Sequence, residues 1–162
     1  MRPIDEREIR ASLINASRKE ASVLSLPPAL SEIDFEQLDF LGWSDAKFAR
    51  RAYVVTEVDG ALTGILLQRA EQRVLARAQC SWCEDVTLRH DVQFFSARKA
   101  GPAGRNGDTI GTLACSEFGC SKNVRRLPPL AYEGYDREAA RQLRIEKLGE
   151  NVRAFVRAVG RA

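Results

Sequence analysis

The stretch CSWCEDVTLRHDVQFFSARKAGPAGRNGDTIGTLACSEFGCSKNV, residues 80–124, contains all four cysteines of the chain. Two residues separate Cys80 from Cys83, and four separate Cys115 from Cys120. Close pairs of this kind let two sulfurs of one tight turn face the same cation, and two pairs supply the four thiolates of a tetrahedral structural zinc site. The spacing therefore predicts one structural Zn²⁺ held by these four cysteines.

The residues between the pairs explain how the pairs could meet. VTLRHDVQFFSA is strand-like, KAGPAGRNG reads as a loop, and TIGTLAC reads as a returning strand that ends at Cys115. A short helix is expected to begin near Cys120, with Gly119 allowing the chain to turn closely around the metal. A knuckle, a hairpin and a helix that carries the last ligand form a treble clef.

Other roles for the cysteines are less well supported. Disulfides are disfavoured because the N-terminus MRPIDEREIR lacks the apolar run of a signal peptide, so a reducing, cytoplasmic location is expected. A redox CxxC would need a βαβ setting, and a catalytic zinc would need an open coordination position. Simple burial of four unligated cysteines remains a further alternative.

The rest of the chain predicts an α+β fold: two β-hairpins with flanking N- and C-terminal helices and a treble-clef zinc finger. Residues 5–21 have helical spacing, and Asp59-Gly60 between RAYVVTEV and ALTGILLQ is a strong hairpin signal. Residues 31–43 read as irregular or briefly helical, and residues 70–79 are undecided between helix and strand. A long helix is expected from about Asp136, with one apolar face. That face would contain Leu143, Leu148, Val152, Phe155 and Val159.

Composition limits the function classes. The 162 residues are 44% hydrophobic and 29% charged, as in an ordinary globular protein, and no run approaches the ~20 apolar residues of a membrane span. The net charge of +3 is too small to indicate nucleic acid by itself. The excess of positive charge lies in residues 80–162, which have 14 Lys/Arg and 10 Asp/Glu. Four thiolates around one Zn²⁺ carry a negative net charge, which would offset part of this excess.

Five residues near the cysteines are candidate partner contacts. Trp82 and Phe118 lie inside the two knuckles, where each could anchor an interface or pack on the hairpin. Lys122, Arg125 and Arg126 form either a binding patch or a solvated helix face. His90, the only histidine, reads as a solvated strand-edge residue, with a fifth metal ligand or a base as the alternative. No Gly-rich phosphate loop, Ser/His/Asp set or paired carboxylates indicate catalysis, so a non-enzyme is predicted.

The phrases FEQLDFLGWSDAKFARRAYVV, CSWC and CSEFGCSKNVR resemble the treble-clef domain of elongation-factor-G-binding, FusB-type fusidic-acid-resistance proteins, especially their actinobacterial relatives. The resemblance implies a single domain over residues 1–162: helix and first hairpin in 1–79, zinc finger in 80–135, and an amphipathic helix in 136–162. It also implies zinc at the four cysteines and binding to elongation factor G, with release of the factor from the ribosome. The resistance proteins carry an N-terminal helical bundle, whereas one helix is expected here.

Three functional hypotheses follow. The first is association with elongation factor G or the translating ribosome. The second is a treble-clef domain that binds RNA or DNA directly, and the third is a redox-active dithiol protein. Binding to a membrane is not expected.

Overall fold

The structure is a computed structural model that describes residues 1–72, 78–85 and 91–161. Five strands and five α-helices are present in these ranges, together with two 3₁₀ helices at Leu30–Glu32 and Phe35–Gln37. The strands are β1 (Leu41–Ser44), β2 (Arg51–Val58), β3 (Ala61–Arg69), β4 (Val92–Arg98) and β5 (Thr109–Cys115). The helices are α1 (Glu6–Ser12), α2 (Arg18–Val23), α3 (Gly101–Arg105), α4 (Cys120–Val124) and α5 (Arg137–Gly160).

The strands form one antiparallel sheet in the order β1-β2-β3-β4-β5. The hairpin β2–β3 turns at Asp59 and Gly60, which have φ angles of 52° and 80°. Such positive angles suit the tight turn that joins two strands, which is why Asp-Gly signals a hairpin. Both hairpins expected from the sequence, β2–β3 and β4–β5, are therefore confirmed, and they belong to the same sheet.

Helix α5 covers one face of this sheet. Its residues Leu148, Val152, Val156 and Val159 are fully buried against strand residues that include Val54 and Phe95. The helix begins at Arg137, next to the start expected at Asp136. Asp136 caps the first turn, because its side chain accepts hydrogen bonds from the N–H groups of Glu138 and Ala139. Leu143 is an exception to the predicted apolar face, since 64% of it is exposed.

The N-terminal segment covers the opposite face, where Ile9 packs with Tyr53, Val55 and Leu66. The single helix predicted for residues 5–21 is wrong: α1 ends at Ser12 and α2 begins at Arg18. Between them, the Asn15 side chain accepts from Leu66 N–H and donates to Leu66 C=O. The helix does not continue through Asn15, because the Asn15 side chain hydrogen-bonds to the backbone of Leu66 in β3.

Two other segments differ from their sequence-based descriptions. Residues 31–43, expected to be irregular or briefly helical, contain the 3₁₀ turn Phe35–Gln37 and the end of Leu30–Glu32, but they also enter the short strand β1 at Leu41. The loop expected between β4 and β5 contains the helical turn α3, whose preceding residue Ala100 donates a hydrogen bond to Val159 of α5. Residues 73–77 of the undecided segment lie outside the described ranges. None of the helices in the described ranges combines the length and the apolar composition of a membrane span.

A buried carboxylate organises the turn between β1 and β2. Burial alone would raise the pKa of Asp45, but hydrogen bonds from the N–H groups of Ser25, Lys47 and Phe48 and from the Tyr53 hydroxyl lower it to about 2. Because the folded-state pKa lies below the unfolded value, the ionised form stabilises the fold.

We expect this contribution, roughly 2 kcal/mol, to be complete above about pH 4 and lost as the pH falls toward 2. Asp45→Asn should remove that part of the pH dependence and be less stable at pH 7. Urea unfolding from pH 7 to pH 2.5 measures both effects. Identical pH profiles for the two proteins would contradict the assignment.

Candidate metal centre

The four cysteines come from three separate parts of the fold. Cys80 and Cys83 lie in the turn that follows β3, Cys115 is the last residue of β5, and Cys120 is the first residue of α4. The hairpin β4–β5 runs out from the first pair and returns to the second. The structure therefore brings together all four residues predicted as metal ligands, in the treble-clef order.

The sulfur atoms have the spacing of a tetrahedral site. All four lie within 4.8 Å of one another, and the Cys80–Cys120 and Cys83–Cys115 Sγ–Sγ distances are both 3.8 Å. A tetrahedron with Zn–S bonds of about 2.3 Å has edges of about 3.8 Å. The same distances are far longer than the ~2.05 Å of a disulfide. All four cysteines are buried, so a bound ion would be shielded from water.

The electrostatics of the cluster also favour a cation. Thiol hydrogen bonds from Cys115 and Cys120 lower the pKa of Cys80, whereas the interaction with Cys115 raises the pKa of Cys120. Four thiolates at this spacing repel one another, so a divalent cation is needed to keep all of them deprotonated. Asn123 adds a neutral donor, with its Nδ2 atom 3.7 Å from Cys115 Sγ.

Comparison with known proteins agrees with this geometry. Residues 8–159 match the model of the family described as FBP C-terminal treble-clef zinc-finger. The chain belongs to this family. Cys80, Cys83, Cys115 and Cys120 thus form the zinc-binding site of this treble-clef zinc finger, for one structural ion.

Other comparisons are more distant. The solved structure of the fusidic acid resistance protein FusC matches with a TM-score of 0.45 and 22% sequence identity, over 61% of this chain and 43% of that chain. The match thus spans less than half of FusC, and at this similarity it carries no functional argument. No curated protein matches the chain.

Two residues at the cysteine pairs have φ angles in the left-handed region: Glu84, directly after Cys83, with φ 50°, and Phe118, between Cys115 and Cys120, with φ 56°. The cost of this conformation is offset by contacts to other elements. Glu84 N–H donates to Cys80 C=O, and its carboxylate pairs with Lys147 of α5 at 2.6 Å. Asn151 of α5 donates to Trp82 C=O at 3.0 Å. Helix α5 therefore holds the first knuckle in place.

Trp82 and Phe118 lie in the core of the FBP zinc finger, with 2% and 6% of their surfaces exposed. The Trp82 ring contacts the rings of Phe40, Phe118 and Phe155, with centroids 5.4 to 6.1 Å apart. An interface anchor must be accessible to the partner, so the role predicted for these two rings is not supported. Of the two alternatives, packing on the hairpin is the one that the structure favours.

The three predicted basic contacts differ in their surroundings. Arg125 is part-buried and pairs with Asp39 at 2.6 Å, which connects α4 to the segment before β1. Lys122 and Arg126 are exposed and have no ion pair among the described residues. Arg125 therefore has a structural role, whereas the other two are available to a partner. His90 lies outside the described residues.

Several residues near the site were not identified from the sequence. Asn123 and Asn151 hold the knuckles through side-chain amides, and Gly42 of β1 allows Phe118 to approach. A Cβ atom at Gly42 would lie 2.7 Å from Phe118 Cβ and Cγ. The DFLGW phrase of the resemblance contains this glycine, but only the structure shows which ring it accommodates.

Proposed function

We propose that this protein binds elongation factor G through the zinc-finger end of the domain and acts on release of the factor from the ribosome. Membership of the treble-clef family and the resemblance of the DFLGW, CSWC and CSEFGC segments to elongation-factor-G-binding proteins support the proposal. The four-cysteine cluster is the observation that carries it, because this centre fixes the knuckles and α4 relative to the sheet.

The chemistry of the zinc-finger end fits binding better than catalysis. The four sulfurs are buried and would complete a tetrahedral coordination shell, so no position remains for a substrate. Lys122 and Arg126 are exposed cations beside this centre. In a protein interface, such charges mainly increase the association rate and its sensitivity to salt.

Calorimetry with purified elongation factor G tests the proposal. We expect a complex at tens of micromolar protein, and we expect it to be lost after the zinc is removed with a chelator. In stopped-flow measurements, Lys122→Glu combined with Arg126→Glu should slow association severalfold and weaken the dependence of the association rate on salt. Arg18→Glu combined with Lys19→Glu is the matched control, because it reverses two exposed charges on α2, and the N-terminal segment covers the other face of the sheet.

Direct nucleic-acid binding would give a different result. The logarithm of the binding constant falls linearly with the logarithm of the salt concentration. Each phosphate contact that is removed should reduce the magnitude of this slope by about one unit, irrespective of the nucleic-acid sequence. No complex with the factor, together with tight and salt-sensitive binding to RNA or DNA, would replace the proposal with that alternative.

A further inference from the structure

One ligand of the metal centre lies beside an open pocket. The pocket has a volume of about 270 Å³ and lies between the Cys80–Cys83 turn and α5; its lining residues are Trp82, Cys83, Glu84, Leu143, Arg144 and Lys147. Cys83 is the only zinc ligand among them. It is also the least buried of the four ligands, with 6% of its surface exposed, compared with 2% for Cys115 and 0% for Cys80 and Cys120. Small solutes therefore reach Cys83 more easily than the other ligands.

Two of the other ligands belong to regular structure. Cys115 ends β5 and lies opposite Val92 of β4, and Cys120 begins α4. Displacing either sulfur from the metal would disturb a strand or a helix. Asn123 Nδ2 also donates to Cys115 Sγ at 3.7 Å, which draws charge from that sulfur and weakens it as a nucleophile. Cys83 lies in a turn, so its sulfur can leave the metal with less disturbance of the fold.

The edge of the pocket includes an exposed ion pair. Glu84 pairs with Lys147 of α5 at 2.6 Å, and 41% and 59% of these side chains are exposed. Pairs of this kind contribute little to stability, because water screens the charges and ordering two long side chains costs entropy. Leu143, another lining residue, is 64% exposed. The pocket can therefore open further while the domain stays folded.

We infer that this pocket is the entry route to the metal centre, and that Cys83 is the ligand at which zinc exchange and thiol modification begin. The Cys83 sulfur leaves the ion as the lone pair of a small chelator or thiolate takes its place, and water protonates the released thiolate. Exchange in the folded protein needs an entry path of this kind. This role of Cys83 goes beyond the proposed function and does not depend on elongation factor G.

Limited alkylation of the zinc-loaded protein identifies the first ligand to react. With less than one equivalent of iodoacetamide, the Cys83 sulfur should form the new S–C bond and iodide should leave. Peptide mapping of singly alkylated molecules by mass spectrometry should place most of the label on Cys83. In metal-free protein unfolded in urea, the four cysteines should react at similar rates, because the fold no longer controls their exposure.

Zinc transfer to a coloured chelator tests the ion pair at the edge of the pocket. Lys147→Ala removes the partner of Glu84 and should speed transfer about two- to fivefold, the range expected for loss of an exposed pair. Arg157→Ala is the matched control, because it removes a similarly exposed pair of α5, with Asp59, near the C-terminal end of the helix. It should leave the transfer rate unchanged. Thermal unfolding shows whether the two variants are equally stable.

Two results would overturn the role assigned to Cys83 and its pocket. The first is label that appears mainly on another cysteine or is divided evenly among the four. The second is equal transfer rates for Lys147→Ala and Arg157→Ala, because zinc would then leave by a route that does not involve the pocket. Neither result depends on a complex with elongation factor G, so the proposed function can fail or stand separately.

Discussion

Replacing Cys80 or Cys120 with serine is expected to remove both the zinc ion and most of the folding stability. The four sulfurs join the turn after β3, the end of β5 and the start of α4, so the metal connects elements that are distant in sequence. Free energy of metal binding at such sites is also free energy of folding. A loss of about 5 kcal/mol or more would lower the Tm by at least about 10 °C in a chain of this size.

Elemental analysis and thermal unfolding under reducing conditions measure this prediction. The wild-type protein should contain one zinc per chain, and the variants should contain none. Ser81→Ala is the matched control, because Ser81 lies in the same knuckle but is exposed and supplies no ligand. A metal-free protein with an unchanged Tm would refute the structural role of zinc.

Replacing Trp82 with alanine is expected to destabilise the fold by about 3–5 kcal/mol, because it removes a large side chain from a closed aromatic cluster. That loss is a large fraction of the ~5–15 kcal/mol that stabilises a typical domain. Trp82→Phe should cost less, since a ring still fills much of the space. Phe48→Ala, which truncates a ring that is 40% exposed and lies 4.5 Å from the Arg51 guanidinium, should cost only about 1 kcal/mol.

Chemical denaturation of the three variants, followed by calorimetry with the factor, distinguishes a core residue from an interface anchor. If Trp82 is a core residue, its replacement lowers the denaturant concentration at the midpoint of unfolding. Zinc stays bound in the molecules that remain folded. If Trp82→Ala unfolded like the wild-type protein but no longer bound the factor, Trp82 would be an anchor after all.

The parts of the structure that were predictable from sequence depend on short-range chemistry. The cysteine spacing predicts the zinc site because two close pairs and an intervening hairpin leave few other arrangements. Asp59-Gly60 predicts its turn because both residues accept positive φ angles. Asp136 marks the start of α5 because its side chain caps the first turn.

The parts that were missed depend on contacts between distant segments. Asn15 interrupts the N-terminal helix by pairing with β3, although Ser17 and Glu20 form a capping box that marks a second helix start. Leu143 fits the helical period of α5. However, the apolar residues of α5 that pack against the core begin at Ile145, so Leu143 lies beyond the edge of the core. Periodicity gives the face of a helix, and only the fold shows where along its length that face is covered.

The order in which the chain is synthesised adds a consequence of the ligand positions. The last ligand, Cys120, emerges from the ribosome before α5, whose residues cover one face of the sheet. At about 5–20 residues per second, translation of residues 121–160 takes roughly 2–8 s. By this point the nascent chain already contains all four cysteines, whereas Val54, Ile65 and Phe95 still lack the helix that covers them. Metal capture can thus precede completion of the core, and it would hold the knuckles in position for α5 to dock.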